Sequence, residues 1–253
     1  MTKKKILVLL GILLFVSVGV FIIYKGTYKE QFNYVVLGDS LSAGRNPYGI
    51  DDYGYADYVR DYLKQKNKLG SYLSYAISGY TIGDVKNDID LNRSIKVNGK
   101  SQNIKKALRD SNIVTISIGG NDLLKGINIS SMPQLVSNKE FLEQRIDDII
   151  VKLDDLFRLI KKYAKGNIVV VGYYNPLPHL EKYKNDMDKI ISLIDKKYES
   201  LCNKHDIYYV EISKDISNNI DYLPNPLDIH LNKEGYKTIS DSIISLINKE
   251  FFK

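Results

Sequence analysis

The chain has 253 residues, enough to bury a sizeable core, and its 44% hydrophobic and 26% charged residues are those of an ordinary globular protein. Thirty-six Lys and Arg against 30 Asp and Glu leave a net charge of +6, yet no basic run interleaves with aromatics, which argues against nucleic acid as a partner. A single cysteine, Cys202, excludes an intrachain disulfide and a Cys-based metal site; its helical, apolar setting reads as packing.

The chain opens with "MTKKK" and then an uncharged apolar run, Ile6 to Tyr24, of about 19 residues, the length at which a helix crosses a bilayer core. Three lysines precede the run, Lys25 and Lys29 follow it, and no Ala-x-Ala cleavage signal lies at its exit. The expectation is a transmembrane signal anchor with its linker over residues 1–29. One domain over residues 30–253 then follows, outside the cytoplasm and joined to the membrane by that helix. Cleavage of the segment would instead release the domain as a secreted protein.

From there, short β-branched or aromatic runs alternate with longer amphipathic stretches. The predicted strands are Tyr34–Leu37, Tyr72–Ile77, Ile113–Ile118, Ile168–Tyr173 and Ile207–Glu211. "NIVTISIGG" and "GNIVVVGYY" are near-continuous apolar runs, as expected of parallel strands covered on both faces. The predicted helices are Tyr55–Lys66, Ile82–Asp90, Ile104–Asp110, Lys139–Ala164, Glu181–His205 and Glu234–Lys249. In the fourth, apolar residues recur at three- and four-residue steps, with acids early and lysines late. The alternation predicts a three-layer α/β/α sandwich around a five-stranded, mostly parallel sheet.

In such sheets functional groups gather at the carboxyl ends of the strands. Here those ends read "GDSLSAG", "SGYTIGD", "GGNDLL" and "YYNPLPH", and the segment before the last helix reads "PNPLDIHLNKEGY". Serine is a weak nucleophile until a base takes its proton, so Ser40 at the end of the first run directs attention to His230. No P-loop and no metal-ligand spacing is present, and Ser42 stands where the second glycine of a Gly-x-Ser-x-Gly elbow would be.

Taken together and in order, these motifs resemble the SGNH hydrolases, or GDSL esterase/lipase family, from about Asn33 to the last helix. "GDSLSAG" matches the nucleophile block, Gly79 in "ISGYT" the glycine block, Asn121 in "GGND" the asparagine block, and His230 in "DIH" the histidine block. The resemblance implies a flavodoxin-like sandwich that cleaves carboxylic esters without a cofactor. It makes Ser40 the nucleophile and His230 the base. The oxyanion donors it implies are the N–H of Ser40, the N–H of Gly79 and the Asn121 amide. Gly79 suits a turn where a Cβ would obstruct approach to substrate. Asp39 is expected to fix the nucleophile's turn.

One position departs from the family's pattern. The aspartate usual three residues before the histidine is replaced by Leu227, and the nearest acid is Asp228, two residues before His230. Either Asp228 reaches the imidazole Nδ1 and completes a catalytic triad, or a backbone carbonyl near Asn225–Leu227 orients the ring as a dyad. The usual proline after the histidine is Leu231. His205 reads as a surface or helix-end residue and His179 as pocket rim. The stretch from Leu124 to Asn138 is expected to shape the pocket. The substrate is then a small-molecule, lipid or glycan acyl ester. The same acyl-enzyme would also serve an acyltransferase with a sugar acceptor, and a non-catalytic binding protein of this fold is the third reading.

Overall fold

The computed structural model describes residues 31–127, 138–176 and 178–252. The expected anchor helix therefore lies outside the described residues, as does most of the stretch after "GGND". Among the described residues no helix is long and apolar enough to cross a membrane.

Phe32–Lys253 forms one unit by itself. Its centre is a five-stranded sheet of β1 (Phe32–Gly38), β2 (Leu69–Ser74), β5 (Ile113–Ser117), β6 (Asn167–Val171) and β7 (Tyr208–Val210), in the order β2-β1-β5-β6-β7. Every neighbouring pair is parallel. Counted within the sheet alone the order is 2-1-3-4-5, the flavodoxin-like arrangement, whose switch point falls between β1 and β5.

The near-continuous apolar strands explain the layering. Alternate residues point to opposite faces, so each strand contributes to two cores. Val35, Leu37, Val114, Ile116, Ile168 and Val170 pack beneath α3 (Ile82–Asp90), α4 (Ile104–Asp110), α6 (Lys139–Tyr163) and α7 (Glu181–Lys204). Tyr34, Val36, Ile113, Val169, Val171 and Val210 face α2 (Tyr55–Gln65) and α9 (Lys233–Leu246). The shorter α-helices are α1 (Ser40–Ala43), α5 (Gly120–Leu123) and α8 (Ser213–Ser217), with a 3-10 turn at Ile220–Tyr222 and a π-helical turn at Ile247–Phe251 beside them.

The second strand lies earlier than the apolar run suggests, at Leu69–Ser74 rather than Tyr72–Ile77. The backbone beyond it still follows β1, with Tyr75 N donating to Val36 O (2.8 Å) and Ile77 N to Gly38 O (3.1 Å). A small antiparallel hairpin, β3 (Ser94–Val97) and β4 (Lys100–Asn103), was not expected. Its two-residue turn is Asn98–Gly99, both at positive φ (50° and 75°), which is the type I′ geometry that Asn-Gly favours.

Candidate active site

Strand β1 ends at Gly38, whose φ of 120° is open to glycine alone, and a Cβ there would stand 2.1 Å from Ser117 O. The chain can thus turn sharply against β5 and begin α1 at Ser40. Asp39 caps that helix, accepting from Leu41 N at 3.1 Å. Ser42 fastens the turn to the neighbouring strand: its Oγ accepts from Ser117 N (3.0 Å) and shares a hydrogen bond with Tyr55 OH (2.7 Å). Burial pushes the Asp39 carboxyl up to about 7. The Leu41 N–H opposes that rise and the Asp122 charge adds to it.

His230 arrives on the segment before α9, which packs into the same core as the helix α1 that begins at Ser40. The loop before α9 is held by Tyr174 OH donating to Ile229 O (2.6 Å) and by Asn225 Nδ2 donating to Pro47 O (2.9 Å), and Asn232 caps α9 through Gly235 N. His230 then lies between two partners, with Nε2 2.8 Å from Ser40 Oγ and Nδ1 2.6 Å from Asp228 Oδ1. A carboxylate only accepts, so Nδ1 carries the proton and Nε2 is the free acceptor facing the serine hydroxyl. The same Asp228 oxygen accepts from His230 N at 2.8 Å. This i to i+2 turn is what lets an aspartate two residues away reach the ring. Asp228, rather than a carbonyl near Asn225–Leu227, is therefore the partner at Nδ1.

Asn121 follows the turn after β5, where Gly119 takes a φ of 109°. One of its amide hydrogens goes to Tyr80 O at 2.9 Å, which fixes the side chain, and the other remains for a ligand. Gly79 lies on the loop that Asn121 grips. A Cβ at Gly79 would meet no protein atom within 4 Å, so the space beside it is open, and its φ of +90° itself favours glycine. Asp122 makes a second tie between the two loops, accepting from Ile82 N at 2.8 Å. Arg145 of α6 clamps the following turn by donating to Asp122 O and Lys125 O.

An apolar cavity of about 110 Å³ opens beside these groups. Ser40, Asn121 and His230 line it together with leucines and isoleucines of α5, α6 and α7. Tyr173 and Tyr174 also line it, and burial holds both phenols far above their ordinary range, so they remain donors. The other sequence candidates lie elsewhere. His179 Nε2 is 2.8 Å from Leu223 O, and His205 ends α7 with Nε2 2.5 Å from Asp154. Cys202 is fully buried, and burial pushes its thiol up to about 12. Among the described residues no group of acids, histidines and cysteines could hold a metal ion. Sequence reasoning missed Ser42, Asp122, Arg145 and Tyr174. Ser42, Asp122 and Tyr174 lay inside the strand-end motifs "GDSLSAG", "GGND" and "YYNPLPH", whereas Arg145, in the middle of a long helix, carried no signal.

Comparison with known proteins places the chain in a family and agrees with the fold. The family model for GDSL-like lipase/acylhydrolase matches residues 36–238. An uncharacterized Bacillus subtilis protein, YpmR, is 22% identical over 229 residues, covering 88% of this chain and 84% of its own. A lipase from a goat rumen metagenome superposes with a TM-score of 0.63 at 19% identity, covering 86% of this chain and 97% of its own. An extracellular lipase from Streptomyces rimosus gives 0.60 at 17%, with coverage of 84% and 98%. An acetylxylan esterase from Geobacillus stearothermophilus, a variant described as a catalytic mutant, gives 0.62 at 17%, with coverage of 88% and 97%. At these identities the structural likenesses speak for the fold.

Proposed function

The chain belongs to the GDSL-like lipase/acylhydrolase family, and from that membership and the line of atoms at its sheet edge we propose a serine hydrolase that cleaves carboxylic esters through an acyl-Ser40 intermediate. The observation that carries this reading is the continuous relay Ser40 Oγ–His230 Nε2–Asp228, at 2.8 Å and 2.6 Å. Support also comes from the acetylxylan esterase, whose catalytic mutants change one serine, one histidine and one aspartate.

Ser40 Oγ attacks the ester carbonyl carbon while its proton passes to His230 Nε2. The carbonyl oxygen becomes an oxyanion, received by the N–H groups of Ser40 and Gly79 and by the free amide hydrogen of Asn121. Asp228 stabilises the imidazolium that forms. The C–O bond to the alcohol breaks as His230 returns the proton to the departing oxygen, leaving the acyl group on Ser40. Water then attacks the acyl carbon and gives its proton to His230. Collapse of the second tetrahedral adduct releases the acid and restores the serine hydroxyl. Residues 6–24 add to this reading a membrane anchor that keeps the domain outside the cytoplasm, to be tested by fractionation and external protease.

Turnover of p-nitrophenyl butyrate by the full chain tests the reaction, with Ser40→Ala and His230→Ala beside it. Each substitution is expected to lower kcat by about 10⁴-fold or more. A folded Ser40→Ala protein keeping a tenth of the activity would overturn the assignment.

A further inference from the structure

The cavity beside Ser40 has a chemical character that the reaction alone does not require. We propose that it is an acyl-chain site selecting straight-chain acyl groups of about four to eight carbons over acetyl. This inference rests on the ester-hydrolase reading and names its substrate class.

The inner wall is hydrocarbon. Leu142 of α6 and Met187, Ile191 and Ile194 of α7 line it, each of them at most 6% exposed. Leu123 of α5 joins them beside Asn121. The two tyrosine hydroxyls within reach are already occupied: Tyr173 OH donates to Ile118 O and Tyr174 OH to Ile229 O. A sugar would need its hydroxyls satisfied, and burying them against such a wall would leave them unpaired. A hydrocarbon chain carries no such demand, and burying it is favourable.

Geometry decides which part of the ester lies inside. The alcohol must leave after the first half-reaction and water must enter for the second. The group that stays bonded to Ser40 through both is the acyl chain, so a wall of buried aliphatic residues suits it. Size sets the length. A cavity of about 150 Å³ holds the six carbons of benzene, so the volume here, about 110 Å³, has room for about four carbons beyond the carbonyl. An acetyl group would leave most of that space unfilled. Each methylene taken from water is worth about fourfold in kcat/KM, so the three further carbons that the cavity holds beyond an acetyl methyl should favour hexanoate over acetate by about 60-fold.

The test is a p-nitrophenyl ester series from acetate to palmitate with the full chain, read as kcat/KM. Ile191→Trp and Met187→Phe follow, each checked for folding by circular dichroism and for the ratio of hexanoate to acetate turnover. The expected result is a maximum between butyrate and octanoate, with the ratio falling at least tenfold in either variant. A maximum at acetate, a flat series, a maximum at dodecanoate or beyond, or an unchanged ratio in both folded variants would overturn the acyl-site inference while leaving an esterase. Folded wild-type protein that turns over no ester would overturn the underlying reading as well.

Discussion

Asp228 offers the sharpest single test of the relay, because one of its oxygens does two things. Oδ1 accepts from His230 Nδ1 at 2.6 Å and from His230 N at 2.8 Å. Asp228→Asn keeps an acceptor oxygen of the same shape, so the backbone bond and the ring's tautomer persist while the negative charge goes. A charge about 4 Å from the imidazolium is worth about 4 kcal/mol at an effective dielectric of about 20. The Asp228 side chain is 26% exposed, and that solvent contact reduces the figure to about 2–3 kcal/mol. The expected loss is therefore about 30- to 150-fold in kcat, since the imidazolium exists only at and after the transition state. Asp228→Ala also removes the two hydrogen bonds and should lose several hundred-fold. In both variants KM should change by less than about threefold. Steady-state kinetics on p-nitrophenyl butyrate with circular dichroism as a folding control reads this out. An Asp228→Ala enzyme within fivefold of wild type would refute the reasoning and return the ring's orientation to a backbone carbonyl.

Three further outcomes follow from the same geometry. Asn121→Ala removes an oxyanion donor, and kcat should fall about 10²- to 10³-fold with KM little changed; a loss confined to KM would remove Asn121 from the oxyanion hole. Asp39, pushed up to about 7, holds a proton in the folded chain that the unfolded chain releases near pH 4. The stabilisation from that proton is full below about pH 4 and is lost as pH rises to 7, at about 1.4 kcal/mol per unit. Urea unfolding across this range should show wild type losing up to about 4 kcal/mol relative to Asp39→Asn, and a constant difference would show that Asp39 is ionised throughout. Asp122→Ala leaves Ile82 N unpaired in a buried setting, so stability should fall by about 1–3 kcal/mol. That variant's kcat should fall too, because the same bond ties the Asn121 turn to the Gly79 loop; unchanged kcat would show that the Asn121–Tyr80 bond aligns the loops alone.

Legibility in the sequence tracked how local each cause was. The long helices and the central strands were readable because burial on one stripe or on both faces imposes a period, and α6 keeps its period over 25 residues. The β3–β4 hairpin was not readable from burial, because "SIKV" and "KSQN" expose half their side chains and bury none fully, Ile95 alone packing partly against the core. Its only mark was Asn98–Gly99. Strand β2 was placed too late because Tyr75–Ile77 are more apolar than Leu69–Ser71, yet pairing to β1 begins where the helix before it lets go. At the site, residue types in order singled out Ser40, Asn121 and His230, which the fold brings to one cavity. The choice between Asp228 and a carbonyl depended on how an irregular loop closes, and a one-residue shift in spacing looked like a defect. Its resolution was local after all, since an aspartate that accepts from the N–H two residues on is a common turn. What no local rule could supply were the ties between distant loops, such as Arg145 to the Asp122 carbonyl, which exist only once α6 has packed.

Those ties hold in place the loops that carry the proposed relay. Ser42, not Ser40, fastens the nucleophile turn to β5; Asp122, not Asn121, fastens β5's turn to α3; Tyr174, not His230, fastens the base loop. Around Ser40 and His230 a neighbour makes the structural bond and the side chain itself stays free to follow the substrate, whereas Asn121 holds Tyr80 O with one amide hydrogen and keeps the other free. The layers divide the work in the same way. His230 comes from the segment before α9, whose helix packs with the core on one face of the sheet, whereas the aliphatic wall comes from α6 and α7 on the other. Substitutions in α7 can therefore retune acyl length without disturbing the base, and changes near Asp228 can weaken catalysis without altering which chain is preferred. A variant set combining Ile191→Trp with Asp228→Asn should show the two effects multiplying in kcat/KM for hexanoate, as independent sites require. Marked non-additivity would mean that the wall and the base loop move as one body, and that the separation of layers is only apparent.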